Sequence, residues 1–135
     1  MDNAQAGPHW NACRDQRLPF FSPPAPELGL WRLSVPQITP ALALPYAQCI
    51  EWHGGQRWLW APLSAQTLLR QAAPAVGGSA TLFRAPQADR LGTCARFHPL
   101  APALERIQQR LKAEFDPAGI FNRGRLYPDA NPTRS

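Results

Sequence analysis

The hydrophobic pattern changes period several times along the chain, and each change marks an element. Residues 30–35, LWRLSV, alternate: Trp31, Leu33 and Val35 share one face, Arg32 and Ser34 the other. That is the period of a half-buried strand. Residues 47–52 and 56–61 are two further strand-like runs around Gly54-Gly55, a pair that supplies the positive backbone angles of a tight hairpin turn. Residues 80–84 make a fourth strand. Between these runs lie two helix signals. Thr39 can cap a short helix opened by Pro40, running through Ala41-Leu42-Ala43 and ending before Pro45. Ser64 can cap a second, over 65–73, with Leu68, Leu69 and Ala72 as its apolar stripe and Pro74 and Gly77-Gly78 as its stop. The predicted order is strand, helix, strand, strand, helix, strand. It implies an α+β fold over residues 29–98, ferredoxin-like, with two helices on one face of a four-stranded antiparallel sheet.

The flanks read differently. Met1–Pro8 is polar and predicted to be irregular, and His9–Leu18 a short helix with Trp10, Cys13 and Arg17 on one side, stopped by Pro19. Phe20-Phe21 followed by Pro23, Pro24 and Pro26 predicts an extended linker whose aromatic pair needs an apolar surface. Residues 1–28 are thus a helix and a proline-rich linker. Beyond Pro99, Leu100, Leu104, Ile107, Leu111 and Phe115 recur at helical spacing, with Pro102 suited to the first turn. An Arg110–Glu114 pair would add a few tenths of a kcal/mol. Each stripe residue buried on a neighbour would contribute roughly 1.5–3 kcal/mol, so burial and not the ion pair decides this helix.

Composition narrows the class. The 135 residues, 44% hydrophobic, suit one domain with a modest core. Leu33–Ile50 carries no charge, yet Pro36, Pro40 and Pro45 break it well short of a membrane span. The first residues lack a basic-then-apolar leader, which makes the cytoplasm the expected location. Cys13, Cys49 and Cys94, like the three histidines, have no metal-ligand or disulfide spacing. The net charge of +5 is carried by arginine, Lys112 being the only lysine. Arginine suits bidentate contact with carboxylates and phosphates, although most arginines in any chain are solvated. Charge and a ferredoxin-like sheet also admit an RNA-binding module with Trp58 and Trp60 as stacking platforms, but the basic-Gly-aromatic run of such modules is absent. A third reading makes the tryptophan-rich hairpin 50–60 a protein-binding surface, against the commoner fate of such residues in a core.

The most specific segment is the tail Phe115–Pro128, FDPAGIFNRGRLYP. Pro117 stops the helix, Gly119 permits a reversal, Ile120 and Phe121 anchor it, and Asn122 offers an amide. Gly124 lets another group approach the backbone, and Arg123 and Arg125 bring positive charge. Taken alone, the segment also fits a well-packed helix-ending turn.

An acidic-Pro turn, a Gly, two apolar residues and Asn-x-Gly-Arg resemble the C-terminal signature of the FAD-linked oxidases of the vanillyl-alcohol-oxidase type. Upstream, "LPFF" at 18–21, "LWRLSVP" at 30–36, "IEWHGGQRWLW" at 50–60 and "GGSATLFR" at 77–84 resemble, in order, the FAD-binding subunits of bacterial glycolate oxidases. The resemblance runs from about Trp10 to Pro128. It implies a cap domain, FAD as cofactor, and oxidation of a 2-hydroxy acid such as glycolate to glyoxylate. It implies partner subunits that include a second flavin subunit and an iron–sulfur subunit, membrane association only through partners, and no nucleic acid. It makes 99–135 a helix and flavin-proximal tail, with Asn122, Gly124 and Arg125 at the flavin. No catalytic residue is assigned; Glu51 and His53, beside Trp52, read as sheet-packing or surface residues on a strand face shared with Cys49. Two departures matter: Arg123 stands where the family usually has Pro, and the chain has no glycine-rich phosphate loop. The expectation is a C-terminal part of such a subunit, colourless and inactive alone.

Overall fold

The computed structural model describes residues 3–89, 92 and 94–122. It divides into two compact units, 1–95 and 96–135.

In the first unit, β1 (Leu28–Ser34), β2 (Gln48–Glu51), β3 (Gln56–Pro62) and β4 (Ser79–Arg84) form one sheet in the order β2-β3-β1-β4. Every pairing is antiparallel. Because β1 is central, its two faces meet different neighbours. Trp31 and Leu33, with Leu59, Ala61, Ala80 and Leu82, face α2 (Gln66–Ala75), which supplies Leu69 and Ala73. Leu30, Trp31, Leu33, Leu59, Leu69 and Leu82 are fully buried, and each such side chain stabilises the fold by roughly 1.5–3 kcal/mol.

The strand order is the predicted ferredoxin-like one, but the first helix is not there. Residues 36–47 form an irregular crossover. Pro36, Pro40 and Pro45 withhold amide donors and restrict the residues before them, and side chains replace the missing helical bonds. Arg57, 3% exposed, donates from Nε to the Gly54 carbonyl and from Nη2 to the Thr39 carbonyl, both at 2.7 Å. Gln48 Nε2 donates to the Leu42 carbonyl at 2.9 Å, while Leu42, Leu44 and Tyr46 pack on the core. One helix therefore covers the sheet where two were predicted.

Smaller corrections follow the same logic. Before α2, a 3₁₀ turn, Leu63–Ala65, replaces capping by the Ser64 side chain. Leu68 is exposed and Ala72 half-buried, so the buried stripe is Leu69 and Ala73. Gly77 adopts φ +77 at the end of the helix, and a Cβ on Gly78 would strike the Ser34 carbonyl oxygen and Val35. That doublet is a close helix-to-strand packing point. At the N-terminus α1 (Asn3–Arg14) begins earlier than predicted and carries Pro8 inside it, with Arg17 beyond its end and Trp10 exposed.

The second unit is α3 (Pro102–Phe115) and the turn after it, with Pro102 in the first turn as predicted. Leu104, Ile107, Leu111 and Phe115 all lie exposed. The Arg110–Glu114 pair is not formed; Lys112 pairs with Asp116 instead, at 2.9 Å.

Candidate functional site

The sheet face opposite α2 is built from the alternate residues of each strand. Cys49, Trp58, Arg32 and Thr81 lie in one cross-strand row, and Glu51, Gln56, Ser34 and Ser79 in the next. One end of this face is covered. Phe20-Phe21, in a 3₁₀ turn (Pro19–Phe21), packs on Leu30 and Trp58, with Phe21 edge-on to Trp58 at 5.5 Å. Two hydrogen bonds hold the turn in place. Trp60 Nε1 donates to the Phe20 carbonyl at 2.7 Å, and Arg84 Nη1 to the Phe21 carbonyl at 3.1 Å. The aromatic pair thus has the apolar surface that the sequence demanded. The other end of the face carries Arg32, Ser34, Gln56 and Thr81, partly or fully open to solvent.

An aromatic wall stands on this face. Trp58 meets Phe83 edge-on at 5.0 Å, and its indole N–H donates to Glu51 at 2.7 Å. Gln56 Nε2 donates to the same Glu51 oxygen at 3.3 Å. Beside this wall stands Arg32, its guanidinium 6.0 Å from the Phe83 ring centroid. Its Nε is buried and has no hydrogen-bond partner. The other described arginines of this unit are occupied: Arg14 and Arg17 by Asp15, Arg57 by two carbonyls, Arg84 by Phe21 and Gln16, Arg70 by the Ala95 carbonyl. A buried donor without an acceptor costs about 1–3 kcal/mol.

In the second unit the tail motif proves to be organised by its acid. Asp116 Oδ1 accepts the Ile120 amide at 2.8 Å, and Oδ2 accepts the Phe121 amide at 3.0 Å. Lys112 Nζ donates both to Asp116 Oδ2 and to the Phe121 carbonyl, each at 2.9 Å. The Lys112 hydrogen bond, helped by the two amides, holds the Asp116 carboxyl down at about 2. Gly119 and Asn122 take positive φ, +63 and +50, conformations open to glycine and tolerated by asparagine. Composition alone gave no role to Asp116; its spacing from Ile120 and Phe121 was the legible signal.

Of the residues assigned to the flavin, Asn122 lies exposed in this turn, while Gly124 and Arg125 fall outside the described residues. Glu51 serves Trp58 and Gln56. His53 is not on a strand, because β2 ends at Glu51 and Trp52, His53 and Gly54 all turn through positive φ. Burial, then the neighbouring Glu51 charge, pushes the Cys49 thiol above its usual range, which makes it a poor nucleophile. The three cysteines are free, and no cluster among the described residues could hold a metal.

Neither glycine doublet is open to a dinucleotide. A Cβ on Gly54 would lie 2.8 Å from the Gln37 carbonyl oxygen, and one on Gly78 would strike Ser34 and Val35. Both glycine doublets are filled by the chain's own backbone and are not cradles for a pyrophosphate. The RNA reading loses its platforms: Trp58 is 2% exposed and Trp60 half-buried, its N–H committed to Phe20. Trp58 also leaves the protein-binding reading, and of that hairpin only Trp52 stands out, 74% exposed.

No family model matches the chain, and no solved structure does. Glycolate oxidase subunit GlcE of Escherichia coli (strain K12) is 41% identical over 124 residues. The match takes in 92% of this chain, a span too long to leave out either the sheet or α3. It takes in 32% of the relative. Through most of its length, then, the chain is similar to glycolate oxidase subunit GlcE, spanning about a third of that protein.

Proposed function

We propose that this chain is the C-terminal cap part of a glycolate-oxidase flavin subunit, supporting FAD-dependent oxidation of glycolate or a related 2-hydroxy acid to the 2-oxo acid. The observation that carries the reading is the 41% identity to GlcE across both the sheet and the helix-and-turn unit. The Asp116 turn supports it, since it gives the tail signature a defined geometry that ends at Asn122. In the intact system FAD would accept the electrons of the hydroxy acid. Asn122, with Gly124 and Arg125, would contribute polar and backbone contacts on the flavin's side, and partner subunits, a second flavin subunit and an iron–sulfur protein among them, would take the electrons on. A cofactor enzyme's protein mainly binds, orients and tunes its cofactor, and the sheet is suited to orienting the substrate.

The isolated chain is expected to purify colourless and without glycolate-dependent dye reduction. A few contacts at about 1 kcal/mol each do not retain a dinucleotide. Stoichiometric flavin that survives gel filtration would overturn the assignment of the phosphate site to residues outside this chain.

A further inference from the structure

We infer that the tip of the β2–β3 hairpin, Trp52 with Ile38 and Ile50 beside it, is the surface on which the first unit seats against the part of a GlcE-like subunit outside this chain. The inference rests on the proposed function for the identity of the partner. The geometry that carries it belongs to the hairpin and to the crossover next to it.

Three large apolar side chains stand out here: Ile38 is 94% exposed, Trp52 74% and Ile50 52%. The fold brings them together. β2 is an edge strand, paired with β3 alone, and Ile50 lies across from Arg57. Arg57 donates to the Gly54 and Thr39 carbonyls and so ties the crossover to the hairpin turn. Gln37 closes the same turn, its carbonyl oxygen against Gly54 and its side chain against Gly55. Ile38 is therefore held between two residues anchored at the turn, beside Trp52.

The backbone at the tip is strained. Trp52 and His53 both take φ +51, the left-handed region in which a Cβ crowds the following carbonyl oxygen and bulky residues are rare. Among the described residues the Trp52 indole has no hydrogen bond or ring partner to offset that cost. Strain of this kind persists where the surrounding structure fixes it, and it gathers at binding surfaces. Here strand pairing, Arg57 and Gln37 hold a turn that pushes a large aromatic into solvent.

The size of the patch argues for its occupant. The three side chains together expose on the order of 400 Å². Two copies meeting on this patch alone would bury less than the roughly 1,000 Å² that a stable association clears. A patch this small suffices where covalent linkage already holds the partner at high effective concentration. GlcE provides such a partner. The match takes in 124 residues of this chain, hairpin included, but 32% of GlcE, so about two thirds of that protein lies outside it. The surface required of that part is an apolar pocket with an acceptor for the indole N–H, the kind of pocket in which a buried tryptophan dominates binding.

The test uses the assembled oxidase in which this chain replaces the aligned stretch of E. coli GlcE. A benzophenone amino acid is put in place of Trp52, and the cross-links formed on irradiation are mapped by mass spectrometry. They are expected to join position 52 to GlcE residues outside the replaced stretch. Amides of residues 50–55 should also exchange at least about tenfold more slowly in the chimera than in the isolated chain, with those of α2 unchanged. In Trp52→Ala that protection should be lost from the chimera. Cross-links to another subunit, to a second copy or to this chain itself, no cross-link at all, or equal exchange in the two settings would each overturn the inference. If the chimera oxidises glycolate while showing any of these, the inference alone fails; a chimera that does not assemble defeats the subunit reading and the inference with it.

Discussion

Lys112 and Asp116 form an ion pair one helical turn apart that also closes the turn after α3, because the lysine continues to the Phe121 carbonyl. The acid is what the tail signature is built around. It joins the last turn of the helix to two amides beyond the Pro-Gly reversal, and so fixes the backbone up to Asn122.

This arrangement sets a pH dependence. The Asp116 carboxyl is lowered to about 2 from an ordinary 3.8, so the folded turn holds the proton less tightly than the unfolded chain does. Its stabilisation is complete above about pH 4 and is lost as pH falls from about 4 through about 2. NMR titration of the Ile120 and Phe121 amides should show one shared transition near the lower end of that window. In Asp116→Ala both amides should lose their protection from exchange at neutral pH. Retained protection in that variant would show that the turn is held by something else.

Trp58→Ala should destabilise the first unit by about 3–5 kcal/mol, the usual cost of emptying a buried aromatic site, as read by urea denaturation. It removes the partner of Phe21, Phe83 and Glu51 together. Trp52→Ala, at an exposed turn, should stay within about 0.5 kcal/mol of the parent. Equal effects would contradict the division of the hairpin into one core tryptophan and one surface tryptophan.

Arg57→Met should cost about 2–4 kcal/mol, because two carbonyls lose charged donors at once. The loss should be local first. Amides of residues 36–44 should exchange faster than those of β1 and β3, since Arg57 ties that crossover to the hairpin turn. Gly54→Ala should cost more than 1 kcal/mol by straining the same turn, where φ is +91 and the Gln37 carbonyl blocks a Cβ. A stable Gly54→Ala protein would mean that the turn can reshape.

The strands were legible in the sequence because alternation is a local signal, and Trp31, Leu33 and Val35 face the core as their period requires. The helix over 40–44 failed because a cap and an N1 proline say where a helix can start, not whether its residues have anything to gain from it. There side chains outside the segment, Gln48 and the more distant Arg57, satisfied the carbonyls instead. The same limit hid the candidate site. Arg32 reads as the polar half of an alternation, and only the register places Trp58 and Thr81 beside it on the sheet. The apolar stripe of α3 was legible as a helix face, and Leu104, Ile107, Leu111 and Phe115 lie exposed on it.

The most direct test of the account replaces the stretch of the E. coli GlcE subunit that aligns with this chain by the chain itself, and measures glycolate-dependent dye reduction by the assembled oxidase. The account predicts a complex that retains its flavin and oxidises glycolate. A complex that assembles with flavin yet oxidises no glycolate or related hydroxy acid would contradict it.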